Sequence, residues 1–140
     1  MKSIIERTFD TPFAIQNFID GKFVDPVNQL NFENINPATG EKLCTVPDSD
    51  EQDVNQAILA AQRAFPVWQN KSNEERFRIL YAIAQGIMKN LDRFALAESL
   101  DTGKPLSLAQ SVDIPRSAQN FEFFATAVMQ FASESHDMQG

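Results

Sequence analysis

The sequence predicts an α+β domain in which two short N-terminal β-hairpins precede a cluster of three to four helices. Three observations lead there. Apolar residues flank two turn signals before residue 47, the apolar period becomes helical from Ser49 onward, and no strand-helix-strand unit follows.

The segment Gln16 to Val24 reads as the first hairpin, because Asp20-Gly21 suits a two-residue turn that needs positive φ. The second has arms Phe32 to Asn36 and Glu41 to Val46 around Pro37-Ala38-Thr39-Gly40. Hairpins this short cannot bury a face alone, so both must pack on something else. Residues 1–15 show no clear period and are expected to form a mobile arm ahead of the main unit, residues 16–140.

Ser49 and Gln52 have capping-box spacing, and Val54, Ile58, Ala61 and Phe65 follow as one apolar stripe that Pro66 should end or kink. Ser72 and Glu75 form a second capping box. Phe77, Leu80, Ala84, Ile87 and Leu91 carry the next stripe. It continues to Leu100, with a break expected at Asn90-Leu91-Asp92 and a C-cap at Gly103. Pro105 suits the start of a further helix, which Pro115 should interrupt and which then resumes to about Ser133. That last helix is apolar nearly all round, as a helix covered by more protein would be. Left uncovered, it should expose an apolar patch around Phe121, Phe124, Val128 and Phe131 and drive association.

Composition excludes several classes. With 43% hydrophobic and 22% charged residues, the 140-residue chain is globular and sized for one domain. A net charge of -7 argues against nucleic acid and against an anionic membrane surface. No apolar run reaches membrane-spanning length, and the N-terminus lacks the features of a signal peptide. Cys44 is the only cysteine, which favours a reducing, cytoplasmic setting. It lies in the strand-like run Leu43-Cys44-Thr45-Val46 and reads as a small core residue, while His136 sits in a polar tail far from any nucleophile. The five glycines form no nucleotide-binding turn, and no Cys/His spacing suits a metal. Glu98 and Asp101, one helical turn apart, read as solvated surface. No complete set of catalytic residues is present.

Three runs then occur in order: Asn17-Phe18-Ile19-Asp20-Gly21-Lys22-Phe23, Ile35-Asn36-Pro37-Ala38-Thr39-Gly40, and Glu98 through Pro105. Together they resemble the N-terminal region of the aldehyde dehydrogenase superfamily. Asp113-Ile114-Pro115-Arg116-Ser117, followed by Asn120-Phe121 and Phe123-Phe124-Ala125, resembles the branch that oxidises 2-aminomuconate and 2-hydroxymuconate 6-semialdehydes.

The resemblance implies the front part of that fold, without its Rossmann-type sheet. It also implies an NAD-dependent oxidation whose cofactor site, cysteine nucleophile and glutamate base lie in downstream domains. The chain alone is then expected to be inactive, and the complete protein a homo-oligomer. Arg116 is implied as a substrate-binding residue, since a guanidinium can hold the substrate carboxylate through two parallel hydrogen bonds. The local alternative is an exposed arginine or a pair with Asp113. A Na+ or K+ site is implied at Asp101 with the backbone oxygens of Asn34 and Ile35. A reading of another class is a non-catalytic helical interaction module derived from such a front end.

Overall fold

A computed structural model describes residues 15–130. The N-terminal arm up to Phe13-Ala14, Phe131, the helix end near Ser133 and His136 lie outside the described residues. Strands β1 (Asn17–Ile19) and β2 (Lys22–Val24) form one antiparallel hairpin, and β3 (Asn31–Ile35) and β4 (Lys42–Pro47) form another. Helices α1 (Glu51–Gln69), α2 (Asn73–Lys89) and α3 (Leu91–Thr102) follow. A single turn, α4 (Leu106–Leu108), runs through a π turn at Ala109–Asp113 into α5 (Ile114–Gln130). The α+β expectation of two hairpins and then helices holds.

The first turn forms as its residues require, with φ of 53° at Asp20 and 75° at Gly21. Phe18 and Phe23 are direct cross-strand partners with ring centroids 5.1 Å apart, edge to face. They are 64% and 70% exposed, so the hairpin holds one aromatic pair and no core. In the second hairpin the register shifts at Asn34/Ile35, where β4 carries one residue more than β3, a β-bulge. The backbone N–H of Ile15 donates to the Thr45 carbonyl at 3.0 Å, which ties the start of the described chain to β4.

Helix α1 is capped by Asp50 and Asp53, not by Ser49 and Gln52. The Asp50 carboxylate accepts from the Gln52 and Asp53 amides, and the Asp53 carboxylate accepts from the Asp50 amide in return. Aspartate caps as well as serine does. Ser49 is occupied elsewhere, its hydroxyl donating to the Asn17 side-chain oxygen at 3.0 Å. Asp53 is 3% exposed because it also accepts from the Val27 amide at 3.1 Å, which joins the strand region to the helix start.

Pro66 neither ends nor breaks α1, which continues to Gln69. Its missing N–H removes one bond, to the Gln62 carbonyl, and the chain stays helical on both sides; its own carbonyl accepts from the Asn70 amide side chain at 2.8 Å. Asn90 does divide α2 from α3, and Gly103 caps α3 with φ 75°.

The Ser72–Glu75 capping box forms at α2 as expected. Its hydrogen bonds from the Ser72 amide and hydroxyl hold the Glu75 carboxyl below its ordinary value, with Lys71 adding to this. A depressed carboxyl contributes stability above its unfolded value and loses it as pH falls through the folded one. The first turn of α2 is therefore expected to loosen as pH falls through the folded value, and Glu75→Gln should remove that acid dependence. Residue-resolved amide exchange from neutral pH down to pH ~3 measures both; identical acid profiles in the two proteins would contradict it.

Pro115 interrupts the α-helical pattern without unwinding the chain, which is α-helical again from Ile114. Its ring would press on the Ser111 carbonyl four residues back. The backbone widens instead, and the Ile114 N–H donates to the Ala109 carbonyl. Helices α2 and α5 pack against each other most extensively. Their buried positions are small: Ala84 on α2, Ala118 and Ala125 on α5, with Ala95 on α3 and Ala109 in the π turn also buried. Alanine seams bring helices close but bury little area, so most large apolar side chains stay outside. Phe123 and Phe124 are 64% and 62% exposed, whereas Phe121 and Val128 are half-buried, so the exposed patch centres two residues beyond Phe121.

Candidate functional site

The second hairpin, the end of α3 and the start of α5 meet around a cleft of about 390 Å³, lined by Asn34, Cys44, Phe94, Asp101, Ile114 and Ser117 among others. Two joints set its walls. Gly103 lies so near Pro37 that a Cβ built on it would come within 2.9 Å of the proline ring. Asn34 donates from its side-chain amide to Asp101 Oδ1 at 2.6 Å. Two of the motifs are thereby locked together across 67 residues of sequence.

The structure thus brings Asp101 beside Asn34, at the bulge that sets Asn34 and Ile35 off register. Asp101 is exposed on one side and hydrogen-bonded on the other. The same Asn34 amide donates to Cys44 Sγ at 3.8 Å. Cys44 is 4% exposed. Burial pushes its thiol up from the ordinary value, the Asn34 amide opposes this, and the negative Asp101 adds to it. A raised, buried thiol is a packing residue and a poor nucleophile.

Arg116 is exposed on the first turn of α5. The local pair with Asp113 does not form. Asp113 Oδ2 accepts from Lys104 Nζ at 2.9 Å, and Lys104 Nζ also lies 2.9 Å from Glu98 Oε1. Among the described residues no carboxylate pairs with Arg116. Asn120 and Phe123, one and two turns further along the same face, are exposed with it.

The Lys104 bridge was not legible from the chain. It joins positions six and nine residues away across Gly103 and Pro105, and no helical spacing rule reaches around a turn. Asp113 and Glu98 hold the Lys104 ammonium above its ordinary value. Glu98 is therefore half-buried and paired, whereas the sequence suggested a solvated carboxylate.

The described glycines serve other ends than phosphate binding. Gly21 and Gly40 have positive φ in hairpin turns, Gly86 lies inside α2, and Gly103 caps α3. None stands between a strand and a helix N-terminus, where the glycine-rich turn of a dinucleotide site would lie. No helix among them is long and apolar enough to cross a membrane.

Residues 23–140 match the model of the aldehyde dehydrogenase family. The chain belongs to the aldehyde dehydrogenase family. It is 44% identical over 124 residues to human 2-aminomuconic semialdehyde dehydrogenase, covering 89% of this chain and 25% of that protein. It is 42% identical over 125 residues to 2-hydroxymuconic semialdehyde dehydrogenase of Pseudomonas sp. (strain CF600), covering 89% and 26%.

Among solved structures, a mutant aldehyde dehydrogenase from Bacillus cereus superposes with a TM-score of 0.89 at 29% identity, over 99% of this chain and 28% of that one. The PnpE structure in complex with nicotinamide adenine dinucleotide superposes with a TM-score of 0.82 at 32% identity, over 88% and 26%. The chain spans about a quarter of the length of these relatives. Its hairpins and helices are therefore the front part of the aldehyde dehydrogenase fold.

Proposed function

We propose that this aldehyde dehydrogenase chain serves in the NAD-dependent oxidation of a carboxylated semialdehyde, of the 2-aminomuconic or 2-hydroxymuconic type, to the acid. Its own part is to hold the substrate entrance. The observation that carries this reading is Arg116: an exposed guanidinium whose nearest sequence partner, Asp113, is already taken by Lys104. A planar cation with no carboxylate partner among the described residues suits a carboxylate that arrives with the substrate, held by two parallel hydrogen bonds. Asn120 and Phe123 continue the same face and suit the unsaturated carbon chain behind that carboxylate.

Similarity to semialdehyde dehydrogenases, and to a structure holding the dinucleotide, supports the substrate class and NAD. The hydride acceptor and the nucleophile belong to other parts of such an enzyme, whose downstream domains and further copies would be the partners of this chain. A Na+ or K+ ion is proposed at Asp101 with the carbonyl oxygens of Asn34 and Ile35. What supports this is the nearness of the Asp101 carboxylate, one hydrogen bond away, to the off-register Asn34–Ile35 strand end, since hard cations take oxygen ligands. The ion would neutralise Asp101 there.

The 140-residue chain by itself is expected to give no NAD reduction with 2-hydroxymuconic semialdehyde. Its only cysteine is the buried Cys44, with a thiol pushed up by burial. A polypeptide of full family length that begins with this sequence should reduce NAD with the same aldehyde. Absorbance of the reduced nicotinamide reads both; turnover by the short chain, or none by the long one, would sink the proposal.

A further inference from the structure

We infer that Lys104 is a positioning residue for Arg116: its ammonium clamps Asp113, the last residue of the π turn, to Glu98, and so fixes the turn on which Arg116 stands. The inference rests on the reading of Arg116 as the carboxylate-binding group.

The bridge is built, not incidental. Lys104 Nζ reaches Glu98 Oε1 and Asp113 Oδ2 at 2.9 Å each, with all three side chains about one-third exposed. Its backbone is held as well. Gly103 precedes it in the left-handed region against Pro37, Pro105 follows, and the Ser99 hydroxyl donates to the Lys104 carbonyl at 2.7 Å. An isolated exposed ion pair is worth little, because two flexible side chains must be ordered for one weak interaction. Here one stem, anchored at its base, serves two carboxylates from different segments.

The segment that it grips is where the helix is weakest. The π turn shifts the hydrogen-bonding register by one residue, and Pro115 offers no N–H at all. Downstream, Ala118 and Ala125 seat α5 against the bundle. Between the π turn and Ala118, the first turn of α5 has Arg116 on its outer side and Ile114 and Ser117 on the cleft side. One residue of slippage would rotate that turn by about 100° and swing Arg116 away. Asp113 is the last tie before it.

Amide exchange and NMR on a full-length dehydrogenase that carries this sequence test this. In Lys104→Met and in Asp113→Asn, exchange from Val112 to Ser117 should quicken about tenfold or more while α1 keeps its protection. The Arg116 Nε–Hε resonance should move in Lys104→Met and return in Lys104→Arg, because a guanidinium can also bridge two carboxylates. Unchanged exchange in both variants would overturn the inference. So would a loss spread evenly over α1 to α5, which marks a merely structural role. None of these readouts involves substrate, so they stand or fall apart from the semialdehyde reading, which the Arg116 kinetics test.

Discussion

Arg116→Ala, in a complete dehydrogenase that carries this sequence, is expected to raise KM for a carboxylated semialdehyde by about a hundredfold while leaving KM for an uncharged aldehyde of similar length within about twofold. The size follows from the contact. A hydrogen bond to a charged partner contributes about 1.5–3 kcal/mol, and a bidentate pair makes two that are not fully additive, so about 3 kcal/mol is lost. Arg116→Lys keeps the charge but not the fork, and should fall between, at about a tenfold loss.

The discrimination between the two aldehydes carries the meaning. Arg116 is exposed and Asp113 is engaged by Lys104, so removing the guanidinium should disturb little of the fold. Steady-state kinetics with the paired substrates measure it. Equal losses on both aldehydes would assign Arg116 a structural role, and no loss on either would remove it from the entrance.

Gly103→Val is expected to cost about 3 kcal/mol, a fall in Tm on the order of 10 °C. Two effects add. The residue sits at φ 75°, where a β-branched side chain is strongly disfavoured. Its new Cβ would also stand 2.9 Å from the Pro37 ring, which cannot move without shifting the second hairpin. Gly21→Ala is the control. Gly21 has the same φ, but nothing lies within 4 Å of the added carbon, so only the backbone cost of about 1 kcal/mol remains. Denaturant titration of both variants separates strain from collision, and equal losses would mean that the two motifs do not press together. Because this joint sets Asp101 against Asn34 and Lys104 against Asp113, Gly103→Val should loosen both.

Much of this architecture can be read from the chain because its signals are local. Asp20-Gly21 specifies its turn, Ser72 with Glu75 its cap, and Gly103 its helix end, each through bonds made within a few residues. The prolines are less legible. Pro66 costs one helical bond in α1, which still runs to Gln69, and Pro115 is met by a π turn held from outside by Lys104. Ser49 and Asp50 are both competent caps, and the choice falls to Asp50 because Asp53 can also reach Val27, 26 residues away. At the site, Asp101, Asn34 and Arg116 come from family resemblance. Their geometry comes from contacts between residues far apart in the chain, such as Asn34 with Asp101, which no periodicity reveals.

The most direct measurement is a structure of the complete dehydrogenase bearing this sequence, with a non-reactive dicarboxylate analogue bound. The expected result is the distal carboxylate of the analogue within about 3 Å of the Arg116 guanidinium, accepting from two of its nitrogens. Arg116 paired with a protein carboxylate, or turned to solvent while the analogue is held elsewhere, would contradict the role proposed for this chain.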